Sequence, residues 1–280
     1  MSSFIVSRDK PIGDYISIYL ARAADENIRK RRVGSGGAVT SILIYLLEKN
    51  IVDAIVVAKR KKGLEGEIAI AKSRDEILRV AGDRWNVLPF TTKLRETLAE
   101  EEINKVAIVG LPCQAQFLRQ MKLFPLLETD FSRKIHLVVS LFCMGTYATE
   151  AFLNFLKMMY KLEPEKILSI RLRGEYIYVI TTEGDKKIST SQVLPYVQMG
   201  CLICPDYSGI FSDISAGISE TYPGYTLLIS RTEDSERIIA GAKEGGYIEI
   251  KKASPDVVEE LELRANSKLM RAAKYASMLL

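Results

Sequence analysis

The feature that most constrains this chain is a recurring order: a short apolar run, a turn of small residues, then apolar residues at helical spacing. IVDAIVVAKR, EIAIAK, NKVAIVG and KIHLVVSLFC read as strands. Around them AVTSILIYLL, SRDEILRVA, KLRETLAEEE, LPCQAQFLRQMK and TEAFLNFLKMMYKL carry helical periodicity. Strands that alternate with helices pair through crossovers, so the expected fold is α/β: a largely parallel open sheet covered by helices. From about Glu163 the rhythm shortens. ILSIRLRG, EYIYVITTEG and DKKIST, separated by the turns RGE and EGD, predict a smaller antiparallel β meander subdomain. Beyond it lie DISAGIS, YTLLISRT, a helix around EDSERIIAGAKEG, the strand YIEIKK and a C-terminal helix from about Pro255. The expected division is an α/β part over 1–162 and, over 163–280, the meander, a cysteine loop and a C-terminal α/β part. The boundary is soft, and both parts belong to one packed body.

Cysteine usage is the second constraint. There are four, Cys113, Cys143, Cys201 and Cys204, and the last two form a C-x2-C pair in GCLICPDYSG. One [4Fe-4S] cluster takes four thiolates, and a C-x2-C loop presents two of them together. Cys113 and Cys143 fall at the ends of expected strands, where open α/β sheets form crevices. Three uses remain open from the residues alone: an iron–sulfur cluster, zinc, or buried inert thiols.

Redox compartment bears on that choice. The Met1 to Tyr19 segment shows no basic leader followed by an apolar stretch and cleavage site, and no apolar run is long enough to cross a bilayer. A cytoplasmic location without a membrane span is expected, and there ligation is favoured over disulfides. The net charge of +4 is mild, and the basic runs Arg29–Arg32 and Lys59–Lys62 lack interleaved aromatics, so nucleic-acid binding is not expected. Neither a P-loop nor a Gly-x-Ser-x-Gly elbow occurs, which leaves NTPase and hydrolase readings without support. His136, the sole histidine, sits in an apolar strand and reads as a core imidazole.

The turn VGSGG opens directly onto a helix. Glycines allow close backbone approach, and a helix N-terminus offers free N–H groups to a phosphate.

Five segments in order, GSGGAVTSILIYLLEKNIVDAIVVAKR, AGDRWNVLPF, VGLPCQAQFLRQMK, SLFCMGTY and GCLICPDYSGIFSDISAG, resemble the beta-subunit family of coenzyme F420-reducing hydrogenases and F420-dependent dehydrogenases. The resemblance spans nearly the whole chain. It implies an oxidoreductase with FAD and one [4Fe-4S] cluster, and makes the 1–162 part flavin-binding. Cys113, Cys143, Cys201 and Cys204 match the family's cluster ligands. Ser35, Gly36, Gly37, Val39 and Thr40 match its cofactor loop, and Arg84 and Trp85 fall in its polar and aromatic stretch near the flavin; Arg22 lies in YLARAADENIRK, which resembles the family's segment just upstream of the loop, and is a phosphate-binding candidate with a solvated basic face as the alternative. Asp206 and Asp213 flank the second cysteine pair, with a structural role the stronger reading.

The implied chemistry is one-electron entry at the cluster, pairing of electrons on the flavin, and hydride exchange with the deazaflavin coenzyme F420 as a dissociable substrate. No catalytic proton donor is assigned. Many family members add a ferredoxin-like segment with further cysteine motifs; with no other cysteine here, electrons are expected from a hydrogenase or dehydrogenase partner subunit. The alternatives are a same-family flavin and iron–sulfur enzyme with another acceptor, or a non-catalytic zinc-binding assembly module.

Overall fold

A computed structural model describes residues 7–31, 35–61, 65–82, 88, 103–124 and 129–278. Its strands, numbered in chain order, are β1 (Ser17–Ala23), β2 (Ala54–Arg60), β3 (Gly66–Ala71), β4 (Val106–Gly110), β5 (Ile135–Leu141), β6 (Ile167–Arg173), β7 (Tyr176–Thr181), β8 (Lys186–Ser189), β9 (Ile214–Ile218), β10 (Thr226–Ser230) and β11 (Ile248–Lys252). Eight form one sheet in the order β11-β1-β10-β9-β5-β4-β2-β3, and β6-β7-β8 form a second.

At the centre of the large sheet, β2, β4, β5 and β9 run parallel. Of these, β2 and β4 are near-continuous apolar runs, as strands covered on both faces must be. The flanks are antiparallel: β3 on one side, and β10, β1 and β11 on the other. The α/β core and the separate antiparallel meander expected from the sequence are both present.

Strand alternation divides the side chains between two faces. Ala21 and Ala23 of β1, Ile55 and Val57 of β2, Ala107 of β4 and Val139 of β5 join the core beneath the helix Ala38–Glu48. On the other face Ala54, Val56 and Ile108 pack with Ala115 and Leu118 of the helix Pro112–Leu123. Farther along it, Ile18, Leu20, Leu227 and Ile229 pack with Val257, Leu261 and Ala265 of the long helix Pro255–Ala276. The meander has its own core, in which Ile170, Ile177, Val179 and Ile188 meet Phe152 and Leu156 of the helix Thr149–Tyr160.

His136 departs from its expected place. Val106 pairs with Ile135 but Ala107 pairs with Leu137, so His136 is the extra residue of a bulge at the start of β5 and is exposed. The helix expected over KLRETLAEEE lies outside the described residues, as do Arg84 and Trp85. No helix among the described residues is long and apolar enough to cross a membrane.

Candidate functional site

The strand registers put several chain segments on one edge of the sheet. Gly110 pairs with Ser140, Leu141 with Ala216, Ile218 with Thr226 and Thr226 with Ala21, so β4, β5, β9 and β1 all end there. Ligand crevices in open α/β sheets form at this carboxyl edge. It carries the Ser35–Gly37 turn, Cys113 and Cys143.

Gly36 and Gly37 both take left-handed backbone conformations, φ 68° and 75°. A methyl group on Gly36 would run into the Gly224 carbonyl oxygen, so this glycine's size is used by the protein's own backbone. The turn is tied down further: Ala23 N donates to Gly36 O at 2.8 Å, and Thr226 Oγ1 donates to Ser35 O. Gly37 is the N-cap of the helix Ala38–Glu48, and no side chain caps it. That leaves the first-turn N–H groups and the positive end of the helix dipole facing the carboxyl edge. Val39 is half-buried and Thr40 buried in this turn. One residue on, the buried Ser41 Oγ has no hydrogen-bond partner among the described residues. Ser41 lines a cleft of about 360 Å³ together with Asp25, Arg74 and Tyr247. An uncapped helix terminus beside an orphaned hydroxyl and an open cleft fits a phosphate-bearing cofactor.

The cysteines gather on the other side of the same edge. Cys113 opens the helix Pro112–Leu123, where Pro112 stands in the first turn and Gln114 Oε1 accepts from Leu111 N at 2.8 Å. Cys143 follows β5, and its backbone N donates to Tyr207 O at 3.0 Å. Gln198 N donates to Thr146 O at 2.9 Å, and Thr146 Oγ1 lies 3.5 Å from Cys201 Sγ. The loop after β5 is therefore laced on both sides to the segment that bears Cys201 and Cys204. Burial pushes the Cys113 thiol up, and Cys204 and Cys201 add to that shift. Burial likewise pushes Cys143 up to about 11, with Lys268 pulling against it and Cys201 and Cys113 adding to it.

Four thiols from three segments thus share one electrostatic neighbourhood. Among the described residues no three His, Cys, Asp or Glu side chains stand close enough to hold a metal ion as they are. The donor set itself, four sulfurs beside two cationic side chains, fits an iron–sulfur cluster. Those cations are Lys268 and Arg271, which the sequence reading missed. Lys268 is 1% exposed and donates to Cys143 O at 2.7 Å and Asp206 O at 2.6 Å. Arg271 donates to Met144 O at 2.5 Å and Cys201 O at 3.1 Å. A signal for Lys268 does exist in the sequence: the buried stripe Val257, Leu261, Ala265, Lys268, Ala272 has helical spacing with one lysine in it.

Asp206 accepts from Gly209 N at 2.7 Å and Ile210 N at 3.1 Å, and Asp213 accepts from Val138 N at 2.8 Å. Both aspartates brace backbone, as the sequence favoured. Burial pushes Asp206 up, opposed by those N–H groups, Arg231 and Lys268. Arg22 is engaged elsewhere. It has the parity of Ile18 and Leu20, pairs with Glu249 at 2.5 Å, and lies 5.3 Å from the Tyr225 ring centroid. That ion pair raises Arg22 and lowers Glu249.

Two family models described for the beta subunit of coenzyme F420 hydrogenase/dehydrogenase match the chain, the C-terminal one over residues 103–256 and the N-terminal one over residues 18–95. The chain belongs to this family of oxidoreductase subunits. Coenzyme F420 hydrogenase subunit beta from Methanococcus voltae is 29% identical to it over 92% of this chain and 94% of that one. The coenzyme F420-dependent sulfite reductase of Methanocaldococcus jannaschii is 26% identical over 85% of this chain but only 38% of its own length. Among solved structures, a chain of the F420-reducing [NiFe] hydrogenase complex from Methanosarcina barkeri superposes with a TM-score of 0.89 and 25% identity, covering 96% of this chain and 93% of that one. This family's beta-subunit fold is therefore the one the chain adopts.

Proposed function

We propose that this chain is an FAD- and [4Fe-4S]-containing electron-transfer subunit that exchanges hydride with coenzyme F420 and draws its electrons from a hydrogenase or dehydrogenase partner. One observation carries the reading: Cys113, Cys143 and the C-x2-C segment converge at the carboxyl edge that also holds the uncapped Gly37 helix terminus. The relatives support the same chemistry, since those named for hydrogenase, sulfite reductase and formate dehydrogenase all carry F420 in their names.

In this reading Cys113, Cys143, Cys201 and Cys204 hold the cluster. The turn Ser35–Thr40 takes the FAD phosphates through backbone N–H groups, with Arg84 and Trp85 as further flavin contacts and Arg22 as an outlying one. Held by these residues, a cluster and a flavin would supply the change from one-electron delivery to two-electron hydride exchange. The protein's share is placement: glycine conformations fix the turn and backbone lacing fixes the cysteine segments. The 1–162 part would supply the flavin turn, and the 163–280 part the C-x2-C loop. No membrane or nucleic-acid contact is part of the proposal, and the place of action is taken as the cytoplasm.

The test is anaerobic reduction of coenzyme F420 by the purified chain with a reduced viologen as donor. Turnover that requires both bound flavin and bound iron is the expected result. A flavin- and iron-loaded chain that does not reduce F420 would require another acceptor.

A further inference from the structure

Lys268 lies in the one position of the C-terminal helix where a charged side chain continues the buried apolar stripe. Removing an ammonium from water carries a penalty of several kcal/mol unless an anion answers it. Its hydrogen bonds go to two carbonyl oxygens, of Cys143 and Asp206. No carboxylate among the described residues comes within salt-bridge distance of it. The nearby Asp206 carboxylate is already answered by the Gly209 and Ile210 N–H groups and by Arg231, which acts on it more strongly than Lys268 does. One turn farther along the helix, Arg271 bonds the Met144 and Cys201 carbonyls, while its buried Nε has no acceptor among the described residues. Two cations thus underlie the backbone of two of the three cysteine-bearing stretches, the Cys143 loop and the C-x2-C segment, with charge and hydrogen-bonding capacity left over.

We propose that Lys268 and Arg271 are positioning residues that set the redox poise of the four-cysteine site: their charges stabilise the reduced, more negative form of the cluster and raise its potential. This rests on the reading of Cys113, Cys143, Cys201 and Cys204 as cluster ligands. A cluster held by four thiolates is anionic and gains one further negative charge with each electron it accepts. Buried positive charge at fixed distance favours that step, and donors fixed on the ligands' own carbonyls keep the distance fixed. A purely structural tie between carbonyls needs only neutral donors. The use of an ammonium and a guanidinium, the latter charged at any working pH, points to charge as the function.

The test is a potentiometric titration of the full chain purified anaerobically, with iron and acid-labile sulfide measured on the same samples and the reduced cluster followed by electron paramagnetic resonance. Lys268→Met keeps an unbranched side chain one atom shorter and without charge, and Lys268→Arg keeps the charge. The expected result is a cluster retained in both, with a midpoint potential shifted negative in Lys268→Met and returned toward the parent value in Lys268→Arg. An unchanged potential in an iron-replete Lys268→Met chain overturns the proposal. Should that variant lose its cluster, Arg271→Met is titrated in the same way: a negative shift there supports the proposal, and an unshifted potential overturns it. A parent chain that binds no iron is a separate outcome and defeats the ligand reading itself.

Discussion

The glycine turn and the cysteine site share one sheet edge but differ in the charge of what holds them. Ser35–Gly37 is fixed by backbone: left-handed conformations, the bond from Ala23 N, and an approach to Gly224 that leaves no room for a methyl group. Its helix, Ala38–Glu48, lies on one face of the sheet. The cysteine site adds to its backbone lacing side chains that reach backbone: Lys268 and Arg271 from the helix Pro255–Ala276 on the other face, and Asp206 from within the loop. A neutral turn ahead of an uncapped helix terminus suits phosphate, whereas thiols near the buried Lys268 and the half-buried Arg271 suit an anionic cluster. In the proposed function, one edge carries two cofactor environments, each supported from its own face of the sheet.

Breaking one environment should leave the other standing. The largest effect is expected from Cys201→Ser, which removes a thiol beside Thr146: iron and sulfide are lost together with dye-linked F420 reduction, while part of the flavin remains. Full retention of iron in that variant would show that Cys201 is not a ligand.

The glycines sharpen the contrast. Gly36→Ala strains a φ of 68° and drives a methyl group against the Gly224 carbonyl, so it should cost about 1–3 kcal/mol and weaken flavin binding more than iron content. Gly209→Ala, at φ 78° and with the added carbon driven against Ser140 Oγ, should cost a similar ~1–3 kcal/mol but lower iron retention instead. Denaturant melts with cofactor analysis of the same samples test both; equal losses of both cofactors in each variant would mean that the two environments are one.

Asp206→Ala removes the acceptor for Gly209 N and Ile210 N and leaves both buried N–H groups unanswered. A loss of about 2–3 kcal/mol in a denaturant melt is expected, with flavin binding unaffected.

The smallest effect is on alkaline stability. Burial pushes the Tyr207 phenol from 10.0 up to about 12. Between those values the unfolded chain gives up a proton that the folded chain keeps, so this group's stabilisation is present below pH 10 and is lost as pH rises toward 12. Tyr207→Phe should therefore lose less stability than the parent across that window, measured by urea melts at stepped pH. An identical slope would remove Tyr207 from the buried set.

Much of this was legible in the sequence because it depends on local pattern. Apolar runs marked β2, β4 and β5, turn signals marked β6, β7 and β8, and strand ends predicted where Cys113 and Cys143 would lie. What escaped depends on register and on contacts between distant residues. The strand β1 escaped notice, since SIYLARA ends in a charged and alanine-rich stretch that becomes strand only between β10 and β11. His136 looked like core until a bulge turned it outward. The Gly36 motif was visible, but its partner at Gly224 lies far along the chain. Lys268 meets Cys143 from 125 residues away, and nothing in the CxxC signal points to a lysine in a terminal helix.

The central claim is that the four cysteines hold an iron–sulfur cluster on the edge that binds flavin. Its most direct test is the iron, sulfide, zinc and flavin content of the anaerobically purified chain. The expected result is about four iron and four sulfide per chain together with FAD. A colourless, zinc-loaded chain without flavin would contradict it.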